Sequence, residues 1–69
     1  MAYAYTVKFP NDGIIGVYST MRKAEEAWTL WIKDHGYEYT VHTVRKMKTY
    51  QTVWFTNGEY VEIDRWYIV

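Results

Sequence analysis

TMRKAEEAWTLWIKDHG, residues 20–36, is the one stretch of this chain with a clean helical period. Met21, Ala24, Trp28, Trp31 and Ile32 recur at three- and four-residue spacing, so they fall on one apolar stripe. A single striped helix cannot bury that stripe alone and must cover a sheet. Ser19 or Thr20 offers a hydroxyl to cap the first turn. Lys33 and His35 put positive charge in the last turn, and Gly36 suits the C′ position. Leu30 is the outlier. At about 100° per residue it points away from the stripe, beside Lys23 and Glu26.

Everything outside this helix reads as strand. Tyr3, Tyr5, Val7 and Phe9 alternate with Ala2, Ala4, Thr6 and Lys8, the pattern of a half-buried strand over residues 2–9. Pro10-Asn11-Asp12-Gly13 makes the turn, and Ile14 to Ser19 the second strand. A two-residue Asp-Gly loop would place Lys8 opposite Val17. A three-residue loop with Gly13 left-handed in a bulge pairs Phe9 with Ile15 and Val7 with Val17. The second register keeps every large apolar side chain on one face and is the expected one.

After the helix, Tyr37 to Arg45 forms the third strand. Tyr39 and Val41 share a face, but Val44 has the opposite parity. Either a bulge near His42-Thr43 resets the pleat or both faces are partly covered. Tyr50 to Thr56 is the fourth strand, and Asn57-Gly58 reads as a two-residue type I′ turn. That turn pairs Thr56 with Glu59, Phe55 with Tyr60, Trp54 with Val61 and Thr52 with Ile63. Trp54, Val61 and Ile63 then lie under the helix, while Phe55, Tyr60, Val53 and Glu62 face away. Trp66 and Ile68 break this parity, which predicts a bulge or bend near Asp64-Arg65. The expected fold is α+β: one helix on a five-stranded antiparallel sheet in the order β-β-α-β-β-β. Residues 1–69 read as a single domain.

Composition narrows function by exclusion. A chain of 69 residues buries only about 60% of its unfolded surface, so a few large side chains must carry its stability. It has no cysteine, hence no disulfide and no thiolate metal site. Eight Tyr, four Trp and two Phe are more rings than one helix and a small sheet can hide. Some must be exposed, as at interaction faces. Eight cations balance eight anions, which argues against strong non-specific nucleic-acid binding. No stretch approaches the ~20 apolar residues of a membrane span, and no basic region with an apolar run opens the chain. A cytoplasmic protein is the default expectation.

Catalytic chemistry is not legible. Ser19 is the only serine and is better used as a cap. His35 and His42 lack ligand spacing around them, so no metal site is expected. Glu62 and Asp64 share a face and could form an acid/base pair. A solvated strand face that resists edge-to-edge aggregation explains them more simply. No phosphate-binding loop and no cofactor motif is present, and the chain is read as a non-enzyme.

The charges are segregated. Arg45, Lys46 and Lys48 stand close together, and Glu59, Glu62 and Asp64 form a second group. Such polarity suits steering onto a complementary protein surface, or simple cross-strand pairing between the two groups. Ile14 to Thr20, running into Arg22-Lys23-Ala24-Glu25-Glu26-Ala27, resembles a strand-to-helix entry of short phage and bacterial proteins. The Val53 to Gly58 hairpin is similar in type. The resemblance covers about half of the chain and transfers no residue motif. It implies a phage-encoded protein, acting in the host cytoplasm, that binds and blocks a host or defence protein as anti-CRISPR proteins do.

The expected function is therefore protein binding without catalysis. Phe55, Tyr60, Glu59, Glu62 and Trp66 are the candidate contact residues, with Leu30 or the Lys46–Lys48 loop as a second patch. Aromatic anchors would supply most of the affinity. The alternative is single-stranded nucleic acid or a nucleotide, stacked on Phe55 and Tyr60 with Arg45, Lys46 and Lys48 along the backbone. A homodimer through an uncovered edge strand or the aromatic face is compatible with either reading.

Overall fold

A computed structural model describes residues 2–34 and 40–68. The sheet contains β1 (Ala2–Phe9), β2 (Gly13–Tyr18), β3 (Val41–Lys46), β4 (Tyr50–Phe55) and β5 (Tyr60–Ile68). Its order is β2-β1-β5-β4-β3, and every neighbouring pair is antiparallel. The helix α1 (Met21–Asp34) crosses one face, giving the α+β fold and the element order read from the sequence. Among the described residues, no helix is long and apolar enough to cross a membrane. Expectations at His35, Gly36, Tyr37 and Tyr39 lie outside the described residues.

Thr20 is the helix cap: its Oγ1 accepts the Lys23 N–H at 3.1 Å. Ser19 serves the neighbouring turn, where its Oγ accepts from Lys23 Nζ at 3.1 Å. The stripe then packs as its spacing requires. Ala24 is fully buried, Trp31 stacks on Phe9 at 4.3 Å, and Trp28 meets Phe55 edge-on at 5.8 Å. Such ring pairs contribute ~0.5–1.5 kcal/mol each beyond the area they bury. The helix backbone lies over β1, β2 and β5. Its side chains reach further, Trp28 to β4 and Glu25 to Lys46 of β3.

The first hairpin departs from its expected register. Asp12 donates its N–H to the Phe9 carbonyl at 3.3 Å, and Gly13 is left-handed at φ 73°. Phe9 therefore pairs with Gly13 and Lys8 with Ile14. A bulge follows, with Ile15 the extra residue, so that Val7 pairs with Gly16, Thr6 with Val17 and Tyr5 with Tyr18. The expected Phe9–Ile15 and Val7–Val17 pairs do not form. Tyr18 folds back over Gly16 on the helix side, and Val17 turns outward, 63% exposed.

β3 carries a bulge at His42, one of the two outcomes left open by the parity of Val44. It brings Val41 opposite Phe55 and Val44 opposite Val53, so both valines share the helix side. The last hairpin is corrected more deeply. Gly58 donates its N–H to the Phe55 carbonyl at 3.2 Å, and Phe55 donates its own to Glu59 at 2.9 Å. Gly58 is left-handed at φ 88°, while Asn57 is not. This is a three-residue loop ending in a glycine bulge instead of a type I′ turn. Trp54 consequently pairs with Tyr60, Val53 with Val61, Thr52 with Glu62 and Gln51 with Ile63.

A one-residue slip moves every side chain of a strand to the other face. Phe55 and Val53 enter the core with Val7, Phe9, Ala24, Val61 and Ile63, and Trp54 leaves it. β5 then needs neither bulge nor bend at Asp64-Arg65, because its pairing with β1 is unbroken from Glu62 to Ile68. Trp66 and Ile68 belong to the face away from the helix. Arg65 and Tyr67 continue the helix side, where the Arg65 guanidinium lies 4.1 Å from the Tyr3 ring centre.

Candidate interaction surface

Cross-strand partners share a face, so the registers define what the helix-free side presents. One line crosses all five strands: Ile14, Lys8, Glu62, Thr52 and Arg45. The next contains Val17, Thr6, Asp64 and Tyr50. Trp54 and Tyr60 pair on one side of this charged band, and Trp66 stands opposite Ala4 on the other. Lys8 on β1 and Arg45 on β3 flank Glu62 and Asp64 on β5. The face is thus aromatic at both ends and balanced in charge between them.

Trp66 is held in place although it is exposed. Its indole Nε1 donates to Thr6 Oγ1 at 2.9 Å, and the small Ala4 side chain opposite leaves room for the ring. Trp66 is 57% exposed, with the polar edge of its indole already satisfied. An aromatic side chain fixed before binding loses little entropy when it docks. Trp54, 37% exposed, and the half-buried Tyr60 form the other anchor.

The structure brings Tyr60, Glu62 and Trp66 together on this face. It does not bring Phe55, which is 3% exposed beneath Trp28 and is withdrawn as a contact residue and as a base-stacking platform. Glu59 sits in the hairpin turn, where its Oε1 accepts from Asn11 Nδ2 at 3.3 Å and its N–H donates to Asn57 Oδ1 at 2.9 Å. Leu30 lies on the outer side of the helix, 58% exposed, beside a shallow hollow lined by Glu25, Glu26 and Thr29.

The three clustered cations separate. Arg45 is on the helix-free face. Lys46 points to the other side, with its Nζ 3.3 Å from Glu25 Oε1. Lys48 lines an open hollow of about 650 Å³ with Tyr5, Met21, Arg22, Glu25, Lys46 and Met47. His42 Nδ1 lies 2.7 Å from Thr43 Oγ1 on the exposed outer strand. Among the described residues, no three His, Cys, Asp or Glu side chains converge to hold a metal ion.

Trp54, Ile14 and Val17 were not legible as surface residues. For Trp54 the signal existed. A three-residue Thr56-Asn57-Gly58 loop puts Val53, Phe55, Val61 and Ile63 on one face, the same criterion that chose the loop in the first hairpin. Compared with protein-family models, with curated proteins and with solved structures, the chain matches none.

Proposed function

We propose that this chain is a non-enzymatic binding protein that docks a larger protein through the helix-free face of its sheet. One observation carries the reading: Trp54 and Trp66 stand exposed at opposite ends of a band in which Lys8, Arg45, Glu62 and Asp64 balance. Aromatic side chains of this kind dominate binding energy, and flanking charges set orientation. The resemblance to phage-encoded inhibitors directs the search for a partner to host or defence enzymes. Nucleic acid fits less well. A phosphate backbone crossing this face would meet Glu62 and Asp64, and Lys46 is engaged with Glu25 on the other side.

The test is affinity capture from bacterial lysate, with and without nuclease, using the parent chain, Trp54→Ala/Trp66→Ala and Leu30→Ala. The expected result is a stoichiometric, nuclease-resistant protein that the double variant loses and Leu30→Ala retains. Matching thermal melts would exclude loss through unfolding. Retention by the double variant, or no captured protein at all, overturns the reading. A nuclease-sensitive eluate transfers the face to nucleic acid.

A further inference from the structure

The ends of β1 and β5 run beyond the rest of the sheet. β2 stops opposite Tyr5 and β4 stops opposite Asp64. Among the described residues, 2–4 and 66–68 therefore pair only with each other, as Ala2–Ile68, Tyr3–Tyr67 and Ala4–Trp66. Two strands alone are marginal in water. This ribbon also exposes apolar side chains on both faces: Tyr3 and Tyr67, edge-to-face at 5.6 Å on the helix side, and Trp66 and Ile68 on the other.

The ribbon lacks the protection that the outer strands carry. β2 is bulged at Ile15, and β3 is bulged at His42 and carries Arg45 and Lys46. Bulges and charges of this kind keep edge strands from pairing with other chains. The six ribbon residues include no bulge, no proline and no charged side chain.

Backbone direction settles which atoms are open. On the β4 side of β5, the Glu59 carbonyl accepts from Phe55 and the Arg65 N–H donates to the Thr49 carbonyl at 2.9 Å. Alternate residues point the same way in a strand, so the Tyr67 N–H and C=O also face that side, past the end of β4. We infer that two copies of this chain join edge to edge at Tyr67, their β5 strands pairing antiparallel about a two-fold axis.

The outward Tyr67 backbone groups set the register. Centring the axis on Trp66 would place the partner strand where β4 pairs with Asp64. Centring it on Tyr67 makes the two Tyr67 residues exchange both hydrogen bonds and sets Trp66 over Ile68 of the second copy. With no charge in the ribbon, the two-fold brings no like charges together. The equivalent edge at Tyr3 offers only Ala2 and Ala4 beside it, so it buries less. The three exposed β5 side chains, Trp66, Tyr67 and Ile68, supply at most on the order of 300 Å² per copy, short of the ~800 Å² of a stable partner surface. The dimer is therefore concentration-dependent. It joins two helix-free faces into one continuous surface but does not depend on the protein-binding reading.

Sedimentation velocity of the full chain from micromolar to millimolar concentration tests it, alongside Tyr67→Lys, Tyr67→Glu, Tyr3→Lys and an equimolar mixture of the first two variants. The parent chain is expected to move from monomer to dimer. Each Tyr67 variant should stay monomeric with an unchanged circular dichroism spectrum, and the Lys/Glu mixture should recover the dimer. Monomer at every concentration overturns the proposal. So do a dimer that survives Tyr67→Lys, a dimer lost only in Tyr3→Lys, and a mixture that fails to associate.

Discussion

The two glycine turns of this sheet change side-chain faces by different means. At Pro10–Gly13 the loop preserves the parity expected from the alternation of β1: Phe9 still shares a face with an odd-numbered residue of β2. The reversal comes two residues later, at Ile15, and affects only Gly16, Val17 and Tyr18 of an outer strand. At Thr56–Gly58 the loop itself carries the extra residue, so all of β4 changes face in the interior of the sheet. A bulge within a strand is a local correction, whereas a bulge in the turn sets the whole register.

The largest test of that contrast is Phe55→Ala against Trp54→Ala. In the observed register Phe55 is in the core beneath Trp28, and its loss should cost about 3–5 kcal/mol, enough to unfold much of a small domain. Trp54→Ala, on the helix-free face, should cost clearly less. Urea melts of both variants decide the matter. If Trp54→Ala were the more damaging, the two-residue loop would be the true one.

The sequence alone specified the elements, their order and the helix stripe, because those depend on periodicities of 3.6 and 2 that survive small errors of register. A cap at Ser19 or Thr20, and a bulge near His42-Thr43 as one of two outcomes, were legible for the same local reason: a hydroxyl before the stripe, and Val44 out of step with Val41. What failed was pairing. Asn-Gly is the commonest signal for a two-residue hairpin, and here the packing of Phe55 beneath Trp28 and of Val53 in the core outweighs it. The binding surface inherited that error. Tyr60 and Glu62 keep their face because the first half of β5 has the same parity in either register, Trp66 reaches that face without the expected bulge, and Phe55 and Trp54 exchange roles.

A smaller effect sharpens the comparison in the first hairpin. A methyl group added at Gly16 would lie 2.7 Å from Cζ of Tyr18, so Gly16→Ala must push the ring off the helix side. The expected cost is about 1–3 kcal/mol. In the Tyr18→Ala background the same substitution should cost much less, since the obstructing ring is gone. Equal costs in both backgrounds, measured as a double-mutant cycle, would mean that Tyr18 does not occupy the space over Gly16.

The smallest effect separates the two kinds of turn most directly. In a type I′ turn both central residues need positive φ, so Asn57→Gly would be neutral or stabilising. Here Asn57 has negative φ, and its Oδ1 accepts the Glu59 N–H at 2.9 Å. Glycine at this position discards that bond and adds freedom to the unfolded chain, a loss of about 1 kcal/mol. Asn57→Asp keeps the acceptor oxygen and should stay within ~0.5 kcal/mol of the parent chain. Thermal melts at one pH, above the aspartate titration range, compare the two variants. Destabilisation by glycine with tolerance of aspartate is the pattern of a side chain serving as an acceptor at negative φ. The reverse order would restore the type I′ turn, and with it Phe55 to the surface.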